Sequence, residues 1–285
     1  LEYCTVGNMQ IIAEKCYCCK FFNRECNKME NHLLAVLQDP YTGDILQLEN
    51  RKLKNGSRRT EYPYHNGYYS FLTDKPLTGN NKKYTRLYDH LSWFYNMGNR
   101  IYFYFKFGNE YNARSEYLKE LEIKDGDKVL EVSIGTGDNL PYLNRNSQFY
   151  GIDISKGMLN MAVKHLRKWK IAAHLFHCEA ENLPFQDNSF DVVFHIGGIN
   201  YFNDKEKAIR EMIRVAKPGT KLMIVDETEK CVKQLYQSNP ISGAFYQDAK
   251  AAAAPVEFVP QQMENIKVEI VNEGLFYCLT FRKPR

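Results

Sequence analysis

The sequence predicts an α/β fold built on a parallel sheet, with a small β-rich region in front of it. Three observations carry this. From Lys128 onward, short apolar runs alternate with segments whose apolar residues recur at helical spacing. The first of these runs enters a glycine-containing turn, Ser133-Ile134-Gly135-Thr136-Gly137. The last two are joined by Asn272-Glu273-Gly274, a hairpin signal, so an antiparallel pair closes the parallel sheet.

In chain order, Lys128 to Val132 reads as a strand, Phe149 to Ile154 as a second, His174 to His177 as a third, Asp191 to Ile196 as a fourth and Lys221 to Val225 as a fifth. Val268 to Val271 and Phe276 to Phe281 form the terminal pair. Between them, Lys156 to Trp169 carries Met158, Leu159, Ala162, Val163 and Leu166 on one helical stripe, and Lys205 to Val215 is a further helix. Alternation of this kind makes βαβ units. Ahead of it, an aromatic helical segment runs from Tyr84 to about Phe107, and another helix from about Asn112 to Leu121. Leu33 to Leu37 is a short helix stopped before Asp39-Pro40. Thr42-Gly43 and Asn55-Gly56 mark turns, Tyr68 to Leu72 is strand-like, and Pro76 to Lys83 reads as a linker. The resulting division is residues 1–80 as an N-terminal region and 81–285 as the main domain, with 81–122 helical and 234–262 an insertion near the rim of the site.

Composition narrows the function classes. With 44% hydrophobic and 25% charged residues among 285, the chain can bury an ordinary core. A formal net charge of +4 is too small to argue for nucleic acid, and the one basic run, Arg51, Lys52, Lys54, Arg58 and Arg59, reads as a solvated turn between two strands. No apolar stretch approaches the roughly 18 residues of a membrane span, and no signal-peptide pattern opens the sequence. The expectation is a cytoplasmic protein; its oligomeric state is not legible. Of the eight cysteines, Cys4, Cys16, Cys18, Cys19 and Cys26 crowd the first stretch. The Cys16-x-x-Cys19 spacing chelates, and with Cys26 offers a zinc or iron site, but a second C-x-x-C is missing. Free or redox-active thiols and plain surface cysteines are the other two readings.

The glycine turn is where ligand chemistry concentrates. Small residues let the backbone approach a ligand, and the helix beginning near Asp138 offers free N–H groups. The dinucleotide fingerprint would place a third glycine where Leu140 stands. Asp153, at the end of the second strand, suits two ribose hydroxyls; its alternative role is a helix cap, which Ser155 can fill instead. Glu179, after the third strand, suits an adenine amino group. Nothing in these segments partners a phosphate.

The segments LEVSIGTGDNLPYL, YGIDISKGML, CEAENLPFQDNSFDVVF, IREMIRVAKPGTKLMIVDE and FYCLTFRKP stand in the order of class I S-adenosylmethionine-dependent methyltransferases, which the run from Tyr84 onward resembles, closest to the ubiquinone/menaquinone C-methyltransferase branch. The resemblance implies a Rossmann-like seven-stranded sheet with an edge hairpin. It also implies that Glu131 binds the methionine amino group, that Gly135 and Gly137, with Thr136, floor the methionine and ribose, and that Asp153 holds the ribose hydroxyls with Ile154 and Met158 beside it. Glu179 then accepts from adenine, the Ala180 N–H donates to the ring, and His195 faces the methionine end. Ser133 stands where the family usually has glycine; its hydroxyl can reach the methionine moiety. Tyr88 or Tyr95 would close over the cofactor carboxylate from a helical lid.

Methyl transfer needs a base only where the acceptor must lose a proton. His195, Asn200, Tyr201, Asp226 and Glu227 are the residues near the expected mouth, His195 and Tyr201 being the leading catalytic candidates and Asp226 and Glu227 equally suited to holding loop backbone. Leu33 to Leu46 with Asn66 to Leu72 resembles the small zinc-ribbon-like domain that partners some tRNA and protein methyltransferases, but Asp39-Pro40 replaces its Cys-Pro and the other ribbon cysteines are absent. The leading reading is a methyltransferase of a small aromatic or lipophilic acceptor. Its rivals are an RNA or protein methyltransferase using the N-terminal region as adaptor, and a non-catalytic cofactor- or metal-binding protein.

Overall fold

The computed structural model describes residues 32–57, 59–72, 77–83, 85, 89, 110–233 and 253–285. Cys4, Cys16, Cys18, Cys19 and Cys26, the aromatic segment with Tyr88 and Tyr95 apart from isolated positions, and the 234–252 part of the insertion lie outside these residues.

Among the described residues, eleven strands form one sheet. The N-terminal four are β1 (Gln47–Glu49), β2 (Lys52–Asn55), β3 (Thr60–His65) and β4 (Tyr68–Ser70). The main five are β5 (Lys128–Val132), β6 (Gln148–Asp153), β7 (Ala173–His177), β8 (Val192–Ile196) and β9 (Lys221–Glu227), followed by β10 (Glu264–Val271) and β11 (Phe276–Arg282). Among the described residues, three helices pack on the main strands: α1 (Glu110–Leu118), α2 (Lys156–Trp169) and α3 (Lys205–Val215). The strand order is β1-β2-β3-β4-β7-β6-β5-β8-β9-β11-β10. From β4 to β9 all neighbours run parallel, and β11 enters antiparallel between β9 and β10.

The expected seven strands are therefore seven of eleven, and the count is corrected by one pairing. β4 lies parallel to β7, with Tyr68, Tyr69 and Ser70 opposite Leu175, Phe176 and His177. A seven-stranded sheet would leave β7 as an open edge of unpaired N–H and C=O groups, which the N-terminal meander covers. The two regions also share apolar packing: Leu37, Leu53, Tyr62 and Phe71 belong to one buried cluster with Leu130, Phe176 and Phe185. Leu37 forms an antiparallel bridge with Phe185, and the Gln186 N–H donates to the Val36 carbonyl at 2.8 Å.

The strands alternate between two cores. Leu130, Val132, Tyr150, Ile152 and Ile224 face α3, whose Ala208, Ile209, Met212 and Val215 are buried. Val129, Phe149, Leu175, Phe194 and Val225 face Leu159, Ala162 and Leu166 of α2 and Tyr117 and Leu118 of α1. Both crossover helices start on side-chain caps: Ser155 accepts from the Met158 N–H and Asp204 from the Lys207 N–H. α2 ends on left-handed Lys170. The Asn272-Glu273-Gly274 turn takes positive φ at all three residues, as its composition predicts.

No cysteine lies between His32 and Leu72. Asp39 is buried and accepts from Asn55 Nδ2 (2.7 Å), the Tyr62 hydroxyl (2.7 Å) and the backbone N–H groups of Tyr41 (2.8 Å) and Thr42 (3.1 Å). Burial pushes its pKa up, but these four donors outweigh that and hold it below the usual carboxylate value. Two turns are thus joined by hydrogen bonds through one carboxylate. Among the described residues, no group of three or more His, Cys, Asp or Glu side chains is placed to hold a metal ion, and no helix is long and apolar enough to cross a membrane.

Candidate functional site

The carboxyl ends of β6, β5 and β8 meet where the strand order changes direction, the place where ligands bind in open α/β sheets. Beyond β5 the chain turns through three left-handed residues, Ser133 (φ +60°), Gly135 (φ +56°) and Gly137 (φ +80°). The Ile134 N–H donates to the Ile152 carbonyl at 2.8 Å, which anchors the turn to β6. Gly151 makes this possible: a Cβ there would collide with the Ile134 side chain. A Cβ on Gly135 would meet nothing within 4 Å, so that part of the turn faces open space, whereas one on Gly137 would meet Leu166 (3.7 Å) and Ala162 (3.9 Å) of α2. Gly135 therefore borders open space and Gly137 lets the turn pack on the helix. Between them, Thr136 is buried and its carbonyl accepts from His165 Nδ1.

Asp153 closes β6. Its Oδ2 accepts from the Gly135 N–H and its Oδ1 from the Ser155 N–H, both at 2.8 Å. Burial raises its pKa to about 6 against the pull of those donors. Ser155, not Asp153, caps α2, and Asp89 reinforces it: Asp89 Oδ1 accepts from the Ser155 hydroxyl (2.6 Å) and the Gly157 N–H (2.9 Å). A Cβ on Gly157 would stand 2.8 Å from the Asp89 Cα, so glycine is what admits that backbone. Ile154 lies beside Asp153, and Met158 is buried one turn into α2.

Glu131 sits in β5 with 1% exposure. Its Oε1 accepts from Asn139 Nδ2 at 2.5 Å, and Arg114 in turn donates to Asn139 Oδ1. Its Oε2 is buried without a partner. Desolvation raises its pKa to about 8 despite Asn139 and Arg114. A buried carboxylate with an unmatched oxygen fits a cationic partner such as an ammonium group.

After β7, Glu179 accepts from Asn81 Nδ2 (3.0 Å) and Asn182 Nδ2 (3.4 Å), and Ala180 is buried next to it. Asn81 also donates to Glu181. On the other side of the site His195 is fully buried. Its Nδ1 lies 2.9 Å from the Val132 carbonyl, which only accepts, so Nδ1 carries the proton and the unpartnered Nε2 keeps a lone pair. Burial holds its pKa below the usual histidine value. Tyr201 lies in the following turn (Ile199–Tyr201), half-buried. Asp226 binds loop backbone, accepting from the Gly198 and Glu227 N–H groups and from Asn200.

The structure thus brings Glu131, Gly135, Asp153 and His195 to neighbouring strand ends, with Glu179 and Ala180 one strand further along. Sequence reading passed over Asn139, Asn81, Asp89 and His177, whose partners are 8 to 107 residues distant. His177 Nδ1 pairs with the Ser70 hydroxyl at 2.8 Å and its Nε2 with the Ile154 carbonyl at 3.1 Å, linking β4 to the loop after β6.

Residues 130–224 match a family model described as a methyltransferase domain. The chain is 34% identical over 131 residues to a demethylmenaquinone methyltransferase of Staphylococcus haemolyticus, covering 44% of this chain and 54% of that protein. It spans about half the length of the curated relatives it matches. Among solved structures, a phosphoethanolamine N-methyltransferase 2 of Haemonchus contortus, bound to S-adenosylhomocysteine, superposes with a TM-score of 0.55 at 17% identity, covering 73% of this chain and 61% of that one. The [4+2]-cyclase SpnF superposes at 0.56 and 17%, covering 73% and 98%. At such identities these two likenesses establish the fold alone. The family match and the methyltransferase relatives together make the stretch 130–224 similar to methyltransferase domains.

Proposed function

We propose that this protein transfers a methyl group from S-adenosylmethionine to a small aromatic or lipophilic acceptor, a quinol-like metabolite being the favoured class. The observation that carries the cofactor assignment is the buried, unmatched Oε2 of Glu131, two residues before the turn whose Gly135 faces open space. Glu131 would hold the methionine ammonium and Asp153 the ribose hydroxyls. Glu179 would accept from the adenine amino group while the Ala180 N–H donates to the ring. Gly135, with Ser133, Thr136 and Gly137 shaping its turn, would lie under the methionine and ribose, and Ile154 and Met158 would flank the adenosine. The bound cofactor supplies a methyl group already activated by a sulfonium, so the protein's task is orientation and the exclusion of water. His195, its Nε2 a lone-pair acceptor, is the group we assign to receive a proton from the acceptor, with Tyr201 beside it as the alternative. Residues 81–285 would act as the catalytic unit, 81–122 as its cover with Tyr95 over the cofactor, and 234–262 beside the acceptor entrance.

The acceptor class is supported by the demethylmenaquinone methyltransferase relative. Calorimetric titration with S-adenosylhomocysteine, followed by methyl transfer from labelled S-adenosylmethionine to a short-chain demethylmenaquinol, tests both parts. No heat with the nucleoside would overturn the whole reading. Binding without transfer to the quinol would overturn the acceptor and leave the cofactor.

A further inference from the structure

The segment that joins the N-terminal region to the main domain reaches the adenine side of the site through Asn81. Asn81 is 5% exposed and engages its backbone N–H and both ends of its side-chain amide. Its amide nitrogen donates to Glu179 Oε1 at 3.0 Å and to Glu181 Oε1 at 3.2 Å. Its Oδ1 accepts from the Asn203 N–H, and its own N–H donates to Asn203 Oδ1, both at 3.3 Å. The reciprocal pair with Asn203 would by itself dock the segment. Asn203 Nδ2 adds a bond to the Thr78 carbonyl at 3.1 Å. The two remaining amide hydrogens do something else: they are divided between two carboxylates that flank Ala180.

The split matters because of what it does to Glu179. A glutamate free to rotate loses rotamer freedom each time it engages a ligand, and fixing it beforehand removes that loss from binding. Asn81 occupies one side of Oε1, and Asn182 reaches Oε2 at only 3.4 Å, so the carboxylate is held while acceptor sites remain for another donor. The amide also gives Glu179 and Glu181 a common donor, which offsets the repulsion between them.

We propose that Asn81 is a positioning residue for nucleobase recognition: its side-chain amide holds Glu179 oriented to accept from the 6-amino group of adenine. The inference rests on the cofactor reading above. It makes residues 77–83 part of the machinery that selects adenine over a 6-oxo purine.

The experiment compares dissociation constants for S-adenosylhomocysteine and S-inosylhomocysteine, which differ at the 6-position. The wild-type protein favours the adenosyl ligand, by roughly tenfold or more where a built acceptor meets a missing donor. Asn81→Ala and the isosteric Asn81→Asp each bring the two constants to within about threefold, mainly by weakening the adenosyl ligand. Asp153→Ala, which acts at the ribose, weakens both ligands alike and preserves the preference. A preference retained in Asn81→Asp, or both ligands weakened equally, reduces Asn81 to a structural clasp and overturns the inference. Tighter adenosyl binding in either variant overturns it too, making Asn81 a competitor for Glu179. Glu179→Gln separates the two levels: a preference unchanged in that variant means that Glu179 does not read adenine, and the parent assignment falls with it.

Discussion

Asn139 donates its side-chain amide to one oxygen of Glu131 and leaves the other, buried, with no partner at all. The carboxyl is thereby aimed but not satisfied, and its ionisation is tied to whatever cation arrives.

Ionisation of Glu131 sets the first prediction. Its pKa of about 8 means that it is mostly protonated at pH 7 before ligand binds. An ammonium partner favours the charged form, so affinity for S-adenosylhomocysteine rises with pH, by up to roughly fivefold between pH 7 and 8, before loss of the ligand's own ammonium proton reverses the trend. Calorimetry across that range should show the rise in the wild type and a flat profile in Glu131→Gln. Equal slopes in the two proteins would refute the pairing.

The turn itself is strained. Ser133 holds φ at +60°, where a residue with a Cβ loses about 1–2 kcal/mol relative to glycine. Glycine returns part of this as roughly 0.5–1 kcal/mol of unfolded-state entropy. Ser133→Gly should therefore stabilise by up to ~1 kcal/mol, and Ser133→Val should destabilise. Thermal melts of the pair in the absence of ligand check the order; a wild type more stable than the glycine variant would mean that the hydroxyl makes a compensating bond.

Asp39 is expected to hold the N-terminal meander together. Asp39→Ala leaves Asn55 Nδ2 and the Tyr62 hydroxyl without their shared acceptor and should cost roughly 2–4 kcal/mol. The pKa is depressed in the folded state, so this stabilisation is present above the unfolded value of 3.8 and is lost as pH falls through the lower folded one. Denaturant melts at neutral pH decide the first point, and a loss under 0.5 kcal/mol would show the node to be incidental.

His177 works in the opposite sense. Burial lowers its pKa to about 4 from 6.5, so the unfolded chain binds a proton that the folded chain refuses. Stability from this group is full above pH 6.5 and falls as pH drops toward 4, by roughly 2–3 kcal/mol. Glu131 and Asp153, whose folded pKa values are raised, oppose the trend, so the test is differential. His177→Gln retains a donor for the Ile154 carbonyl and an acceptor for Ser70 but cannot be protonated. Wild type should lose more stability than this variant between pH 6.5 and 4, and parallel curves would exclude the histidine as the cause.

The five main strands, the two crossover helices and the closing hairpin were legible because each is a local pattern: apolar runs, a 3.6-residue stripe on α2, and Asn-Glu-Gly at a turn that needs positive φ. So were the acidic residues at successive strand ends, since the alternation of strands and glycine turns sets where side chains can meet a ligand. What the sequence could not decide was pairing between distant segments. β4 and β7 lie about a hundred residues apart, and nothing in Tyr68-Tyr69-Ser70 says which edge it will cover; only the exposed backbone of β7 selects it. The same holds for the polar partners. Asn81, Asn139 and Asp89 are ordinary turn or helix-end residues by sequence, and they acquire roles because folding removes water from Glu179, Glu131 and Ser155 and makes each nearby donor or acceptor count.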